Sequence, residues 1–190
     1  MKLKNLLLIP LLVIVVVALS GCITDSLEGG ELYEKNGITF RYPDTWQEAS
    51  SVAEGSVAAV AHRNNSAISI VIQQVPSELG NTTETAYENN NRNLEASPGY
   101  INIQENTTQV NGKSAKLHRY ITNENDGSQK EHIATWLTMS DHKMYVVFFS
   151  SPVENYENEK YAYDKVVGSF NLINNNQKQS TMDKIFDLFK

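Results

Sequence analysis

Met144 to Phe149 reads Met-Tyr-Val-Val-Phe-Phe, apolar at all six positions. Side chains on a strand point alternately to its two faces, so a half-solvated strand would carry a polar residue at every second place. An unbroken apolar run of this length predicts a strand buried on both faces. Something must then cover each face. Helices can do so, and the best candidate follows directly: between Val153 and Phe170 the residues Tyr156, Tyr163, Val166, Val167 and Phe170 recur at helical spacing.

The remaining elements are organised around that strand. Ile38-Thr39-Phe40-Arg41-Tyr42 alternates and then meets Pro43-Asp44, a strand closed by a turn, and Trp46 begins another element. Val57 to His62 and Ala67 to Gln73 flank Arg63-Asn64-Asn65-Ser66 in the pattern of a hairpin, with Ile68, Ile70 and Ile72 on one face. Glu84 to Glu95 predicts an Asn-rich helix capped by Asn81, Thr82 or Thr83. Tyr100 to Gln109, Lys113 to Thr122, Gln129 to Met139 and Lys143 to Ser150 predict four strands, separated by turns at Asn111-Gly112, Asn125-Asp126-Gly127 and Asp141-His142. The expected fold class is α+β, an antiparallel β-sheet sandwiched by helices.

The N-terminus predicts a different kind of segment. Lys2 and Lys4 precede an apolar stretch from Leu6 to Leu19, a secretory signal core that is shorter than the roughly 20 residues of a spanning helix. Leu19-Ser20-Gly21-Cys22 follows and resembles the lipobox of bacterial and archaeal lipoproteins, which makes Cys22 the lipid-attachment residue. Cys22 is the single cysteine, so no disulfide competes for its thiol; an uncleaved anchor helix and a buried core cysteine are the alternatives. At about 0.8 kcal/mol per buried CH₂ one acyl chain anchors marginally and two hold stably. The expected organisation is a signal peptide at 1–21, a tether at 22–35 containing Gly29-Gly30, one domain at 36–173, a polar linker at 174–180 and an amphipathic helical tail at 181–190. In that tail Met182, Ile185, Phe186 and Phe189 share a face behind a Thr181 cap. The expected location is therefore the cell membrane, lipid-anchored and facing outside the cytoplasm.

Asn36-Gly37-Ile38-Thr39-Phe40-Arg41-Tyr42-Pro43-Asp44-Thr45-Trp46 resembles the opening of the PsbP/Mog1-like families, in which a strand ends in Tyr-Pro, a two-residue spacer and Trp. Asp164-Lys165-Val166-Val167-Gly168-Ser169-Phe170 is similar to their closing helix. The resemblance implies an antiparallel sheet sandwiched by helices. For function it implies little, because members include photosystem accessory subunits, a Ran-binding protein and envelope lipoproteins. Each motif also has a structural reason: Pro43 cannot donate to a ladder and stops its strand, and Trp46 can plug one end of the sheet while its indole N–H finds a carbonyl.

Chemistry-bearing patterns are sparse. His62, His118, His132 and His142 show no H-x-H or H-x-x-x-H spacing. If the strands pair in order, His118 and His132 lie on neighbouring strands and could face each other. Glu154, Glu157 and Glu159 cluster at the start of the last helix, where acids suit the dipole and where a weak calcium patch is conceivable. There is no P-loop, dinucleotide fingerprint or nucleophile elbow. Asn64, Asn81 and Asn106 head three N-x-S/T sequons open to N-glycosylation in a host that glycosylates exported proteins. The formal net charge is −6, and removing 1–21, which takes away Lys2 and Lys4 and no acid, makes it −8; nucleic acid is not an expected partner. These readings predict a non-catalytic binding or scaffolding lipoprotein with no cofactor and no metal, held by membrane lipid through Cys22 and partnered by an envelope protein. The alternative is an envelope enzyme, or an accessory subunit of one, acting on a cell-wall or glycan substrate.

Overall fold

The computed structural model describes residues 29–51, 53–74 and 82–173. The signal, the lipobox with Cys22, Asn81, the linker at 174–180 and the tail at 181–190 lie outside the described residues. The apolar run at Met144 forms strand β9 (Met144–Pro152), and it is the central strand of a seven-stranded antiparallel sheet. The other strands of that sheet are β3 (Gln47–Glu48), β4 (Ser56–Ala61), β5 (Ala67–Gln73), β6 (Ile101–Val110), β7 (Lys113–Asn123) and β8 (Gln129–Thr138), in the order β3-β4-β5-β9-β8-β7-β6. From Met144 to Phe149 only Phe148 is less than buried.

The alternation of β9 divides the core in two. Tyr145, Val147 and Phe149 join Ile68 and Ile70 of β5 and Ile133 and Leu137 of β8 under helix α2 (Tyr156–Ser169), whose Tyr156, Tyr163 and Val166 point into the same cluster. Met144, Val146 and Phe148 face the opposite way and meet Ala86 and Tyr87 of helix α1 (Thr83–Leu94) together with Trp136. The sheet is thus sandwiched by helices as expected. Helix α1 begins at Thr82, whose hydroxyl accepts from the Thr85 N–H at 3.2 Å while Thr85 answers with its own side chain, a reciprocal cap.

The α2 side carries an additional layer. A small sheet of β1 (Glu31–Lys35), β2 (Ile38–Tyr42) and β10 (Asn171–Leu172), in the order β1-β2-β10, lies beside α2. This corrects the expected tether at 22–35: Glu31 to Lys35 pairs along its whole length with β2, and Tyr33 is buried, its ring stacked on Phe40 at 4.7 Å. The hairpin closes at Asn36 and Gly37, both with positive φ, the geometry in which an Asn-Gly pair matches the strand twist. The folded domain therefore begins ahead of residue 36. At its far end, Ser169 Oγ accepts the Arg41 N–H at 2.8 Å and Phe170 packs edge-on against Tyr145, fastening the end of α2 to β2 and β9.

Trp46 is buried, as expected, but its indole N–H finds no acceptor among the described residues. Its ring lies parallel to His62 at 5.9 Å, and burial of the ring outweighs the unmet donor. Trp46→Ala is expected to lower stability by about 3 kcal/mol, the low end for a buried Trp, because the orphaned N–H is removed with the ring. Trp46→Phe keeps most of the packing and should cost about 1 kcal/mol or less. Urea unfolding of the two variants checks both values, and a Trp46→Ala loss under about 1 kcal/mol would contradict the packing role.

Candidate functional site

The strand ends at Ala61, Ala67, Asn123, Gln129 and Pro152 gather at one end of the seven-stranded sheet, and with them several polar turns. There the turn Asn64-Asn65-Ser66, the turn from Glu124 to Ser128, and the segment from Pro152 to Glu154 surround a cleft of about 470 Å³. Its lining includes Asn65, Glu124, Asp126, Gln129, Lys130 and Glu154.

The turns are preorganised. Asn65 takes φ 65°, which asparagine tolerates better than most residues, while Asn64 Oδ1 accepts the Ser66 N–H at 3.2 Å. Ser66 is fully buried, its hydroxyl 2.8 Å from that of Ser151, which fixes the turn to the end of β9. Across the cleft, Asp126 accepts both the N–H and the hydroxyl of Ser128, at 2.9 and 2.6 Å, and these bonds hold its carboxyl below the usual range.

Beside the cleft, the titratable groups are tied to one another. Glu159 on α2 is buried; its Oε1 accepts from His62 Nδ1 at 2.9 Å and from the Asn64 amide at 2.6 Å, and its Oε2 has no partner among the described residues. Arg119 on β7 bonds Glu131 on β8 through Nε and Glu157 through a terminal nitrogen at 3.0 Å, with its guanidinium 4.2 Å above the Tyr156 ring. The three acids at the start of α2 therefore diverge: Glu154 to the cleft, Glu157 to Arg119, Glu159 to His62. Among the described residues no three of His, Cys, Asp and Glu are grouped so as to hold a metal ion.

His118 and His132 do share a face of the sheet, but they do not meet. The register sets His118 opposite Ala134 and Tyr120 opposite His132, so the Tyr120 ring stands between them, 4.7 Å from one and 4.9 Å from the other. Tyr100 and Phe148 extend this stack at its two ends. His118 Nε2 hydrogen-bonds the Tyr100 hydroxyl at 3.1 Å and His132 Nε2 the Thr122 hydroxyl at 2.9 Å; both Nδ1 atoms are buried without a partner among the described residues. These rings belong to the core of the α1 side. His142 sits in the turn before β9 with φ 62°.

Of the two described sequons, Asn64 commits its amide nitrogen to Glu159, whereas Asn106 is exposed on β6. The cleft itself was not singled out by sequence reasoning. Its acids and amides come from three turns far apart in the chain, and the only local signal was the turn chemistry of each.

A sheet sandwiched by two helices, with a polar turn-lined cleft at one end, defines a small α+β domain of the PsbP/Mog1 type. Residues 28–172 match the PsbP family model, and the chain belongs to the PsbP family. Comparison with curated protein sequences finds no match. Among solved structures, the cyanobacterial PsbP (CyanoP) of Synechocystis is similar at 18% identity and a TM-score of 0.54, over 75% of this chain and 91% of that one. The Ran-binding protein Mog1p of Saccharomyces cerevisiae is similar at 12% identity and 0.54, over 78% and 97%. LpqN of Mycobacterium tuberculosis, which is involved in cell envelope biogenesis, is similar at 11% identity and 0.52, over 79% and 96%. At these identities the likeness is one of fold.

Burial holds the His132 imidazole at a pKa of about 4, and it lowers that of His118 as well. An imidazole titrating near 6.5 when unfolded and near 4 when folded gives stability that is complete above pH 6.5 and lost as pH falls toward 4, because the unfolded chain takes up the proton first. His132 alone should cost about 2 kcal/mol by pH 5. Urea unfolding at pH 7 and pH 5 measures the difference. His132→Phe, which keeps a ring between Tyr120 and Phe148, should reduce it; an unchanged difference would show that the ring is not buried neutral.

Proposed function

We propose that this chain is an extracytoplasmic lipoprotein, anchored through a lipidated Cys22, whose PsbP domain acts as a non-catalytic binding or scaffolding module for another envelope protein. The observation that carries the reading is the contrast at the polar end of the sheet. His62 is paired with Glu159 and Arg119 with Glu131 and Glu157, while Asn65, Glu124, Gln129 and Glu154 line an open cleft. Paired charges beside a concave polar surface suit recognition by complementarity more than proton transfer. With Glu124, Asp126 and Glu154 against a single Lys130, the cleft favours a partner surface presenting cationic or hydroxyl groups. The signal and lipobox support the location, and the likeness to an envelope-biogenesis protein is consistent with it.

Two measurements test the reading. Mass spectrometry of the mature N-terminus should find a modified Cys22 as the first residue, and Cys22→Ser should leave an uncleaved precursor or release the protein from the membrane; an unmodified Cys22 within an intact N-terminal peptide would sink the anchor. In intact cells, a photocrosslinker at Asn65 should yield a discrete adduct that Glu124→Lys with Glu154→Lys reduces about tenfold or more, as expected for reversed rim charges. Turnover of a cell-wall or glycan substrate that His62→Ala abolishes would favour the enzyme instead.

A further inference from the structure

The two rims of the seven-stranded sheet are built in opposite ways. One rim is β3, only two residues long, whose Glu48 is held by Lys35 at 2.7 Å. A strand so short offers little backbone for another chain to pair with. The other rim is β6, ten residues long and, among the described residues, paired only with β7, with every residue from Ile101 to Thr107 exposed. Two of the devices that usually protect an edge are missing from it: it contains no proline and no lysine or arginine. A single bulge, between Asn102 and Gln104, interrupts it near its start and leaves Gln104 to Val110 regular.

We propose that this edge of β6 is where a second copy of the chain pairs, antiparallel and across a two-fold axis, joining two sheets into one. The charge pattern selects the occupant. Glu105 is the strand's only charged side chain, and its carboxylate is turned onto the α1 side, where it accepts from Tyr87 and Asn91. The edge is left neutral and rich in Thr, Asn and Gln, which steers neither a basic nor an acidic peptide but complements itself. A two-fold axis requires one strand to meet its own reverse. Centred on Asn106, the pairing sets Glu105 opposite Thr107 of the second copy and Gln104 opposite Thr108, so no carboxylate faces another. The same register lays Ile103, 42% exposed, and Ile101, 51% exposed, alongside the second copy's strand end, covering apolar surface that is otherwise wet. This surface is separate from the cleft, so either proposal can fail without the other.

The test uses the full chain in detergent micelles, made in a host that adds no glycan, since a sugar on Asn106 would occupy the same edge. Sedimentation should give the mass of a dimer. Residues facing each other across an antiparallel pair lie about 5 Å apart at Cβ, so Asn106→Cys should form a disulfide-linked dimer under mild oxidation at least about tenfold faster than Asn158→Cys on the exposed face of α2. Asn106→Lys sets two ammonium groups against each other and should shift the mass to that of a monomer, with a thermal midpoint within about 2 °C of the parent. If Asn106→Lys does not fold, Gln104→Lys, exposed on the same strand, takes its place. A monomer at every concentration, crosslinking no faster than at Asn158, a dimer that survives the lysine, or a different protein on this edge would each overturn the proposal.

Discussion

The architecture depends on the double burial of β9. A strand whose neighbours β5 and β8 supply hydrogen bonds on both sides, and whose side chains are apolar on both faces, can exist only inside a three-layer structure. Everything else answers that requirement. Helix α2 follows β9 after a short turn and folds back over one face, and α1 covers the other from the connection between β5 and β6. Their lengths and caps could differ without changing the fold; a charge at Val147 could not be accommodated, because both it and its surroundings are fully buried.

The two covers are unequal. On the α2 side, Phe40, Tyr156, Tyr163 and Phe170 build a thick aromatic layer against the sheet. On the α1 side the helix buries only Ala86 and Tyr87, and the interior next to it is completed by imidazole and phenol rings. Such rings fill space as well as hydrocarbon does but bring polar atoms that must be satisfied or left wanting. The thinner layer therefore holds the two buried histidines, His118 and His132, whose pKa values burial lowers.

How much of this was legible depended on the signal involved. The β4–β5 hairpin, α1, the four strands from β6 to β9 and α2 could be read from alternation, helical spacing and Asn-Gly or Asp-Gly turns, which are local. Strand β1 was missed because it buries one side chain, Tyr33, and so looks like a tether by composition. The Asn36-Gly37 pair behind it is the same turn signal as Asn111-Gly112, with positive φ at all four residues. The Trp46 N–H was assigned a carbonyl on general grounds and has none among the described residues, a detail of packing that no pattern encodes. The polar end was least legible. Glu159 reads as one more helix-start acid, and only the tertiary structure sets it against His62 and Asn64, which precede it by nearly a hundred residues.

The small sheet has a mechanical consequence. Strands β1 and β10 flank β2 and run parallel to each other, so the chain enters the domain beside Tyr42 and leaves it beside Ile38, at opposite ends of the same strand. A force drawn between the two ends of the domain therefore acts along the strands, and the ladders on both sides of β2 resist it together in shear instead of opening one bond at a time.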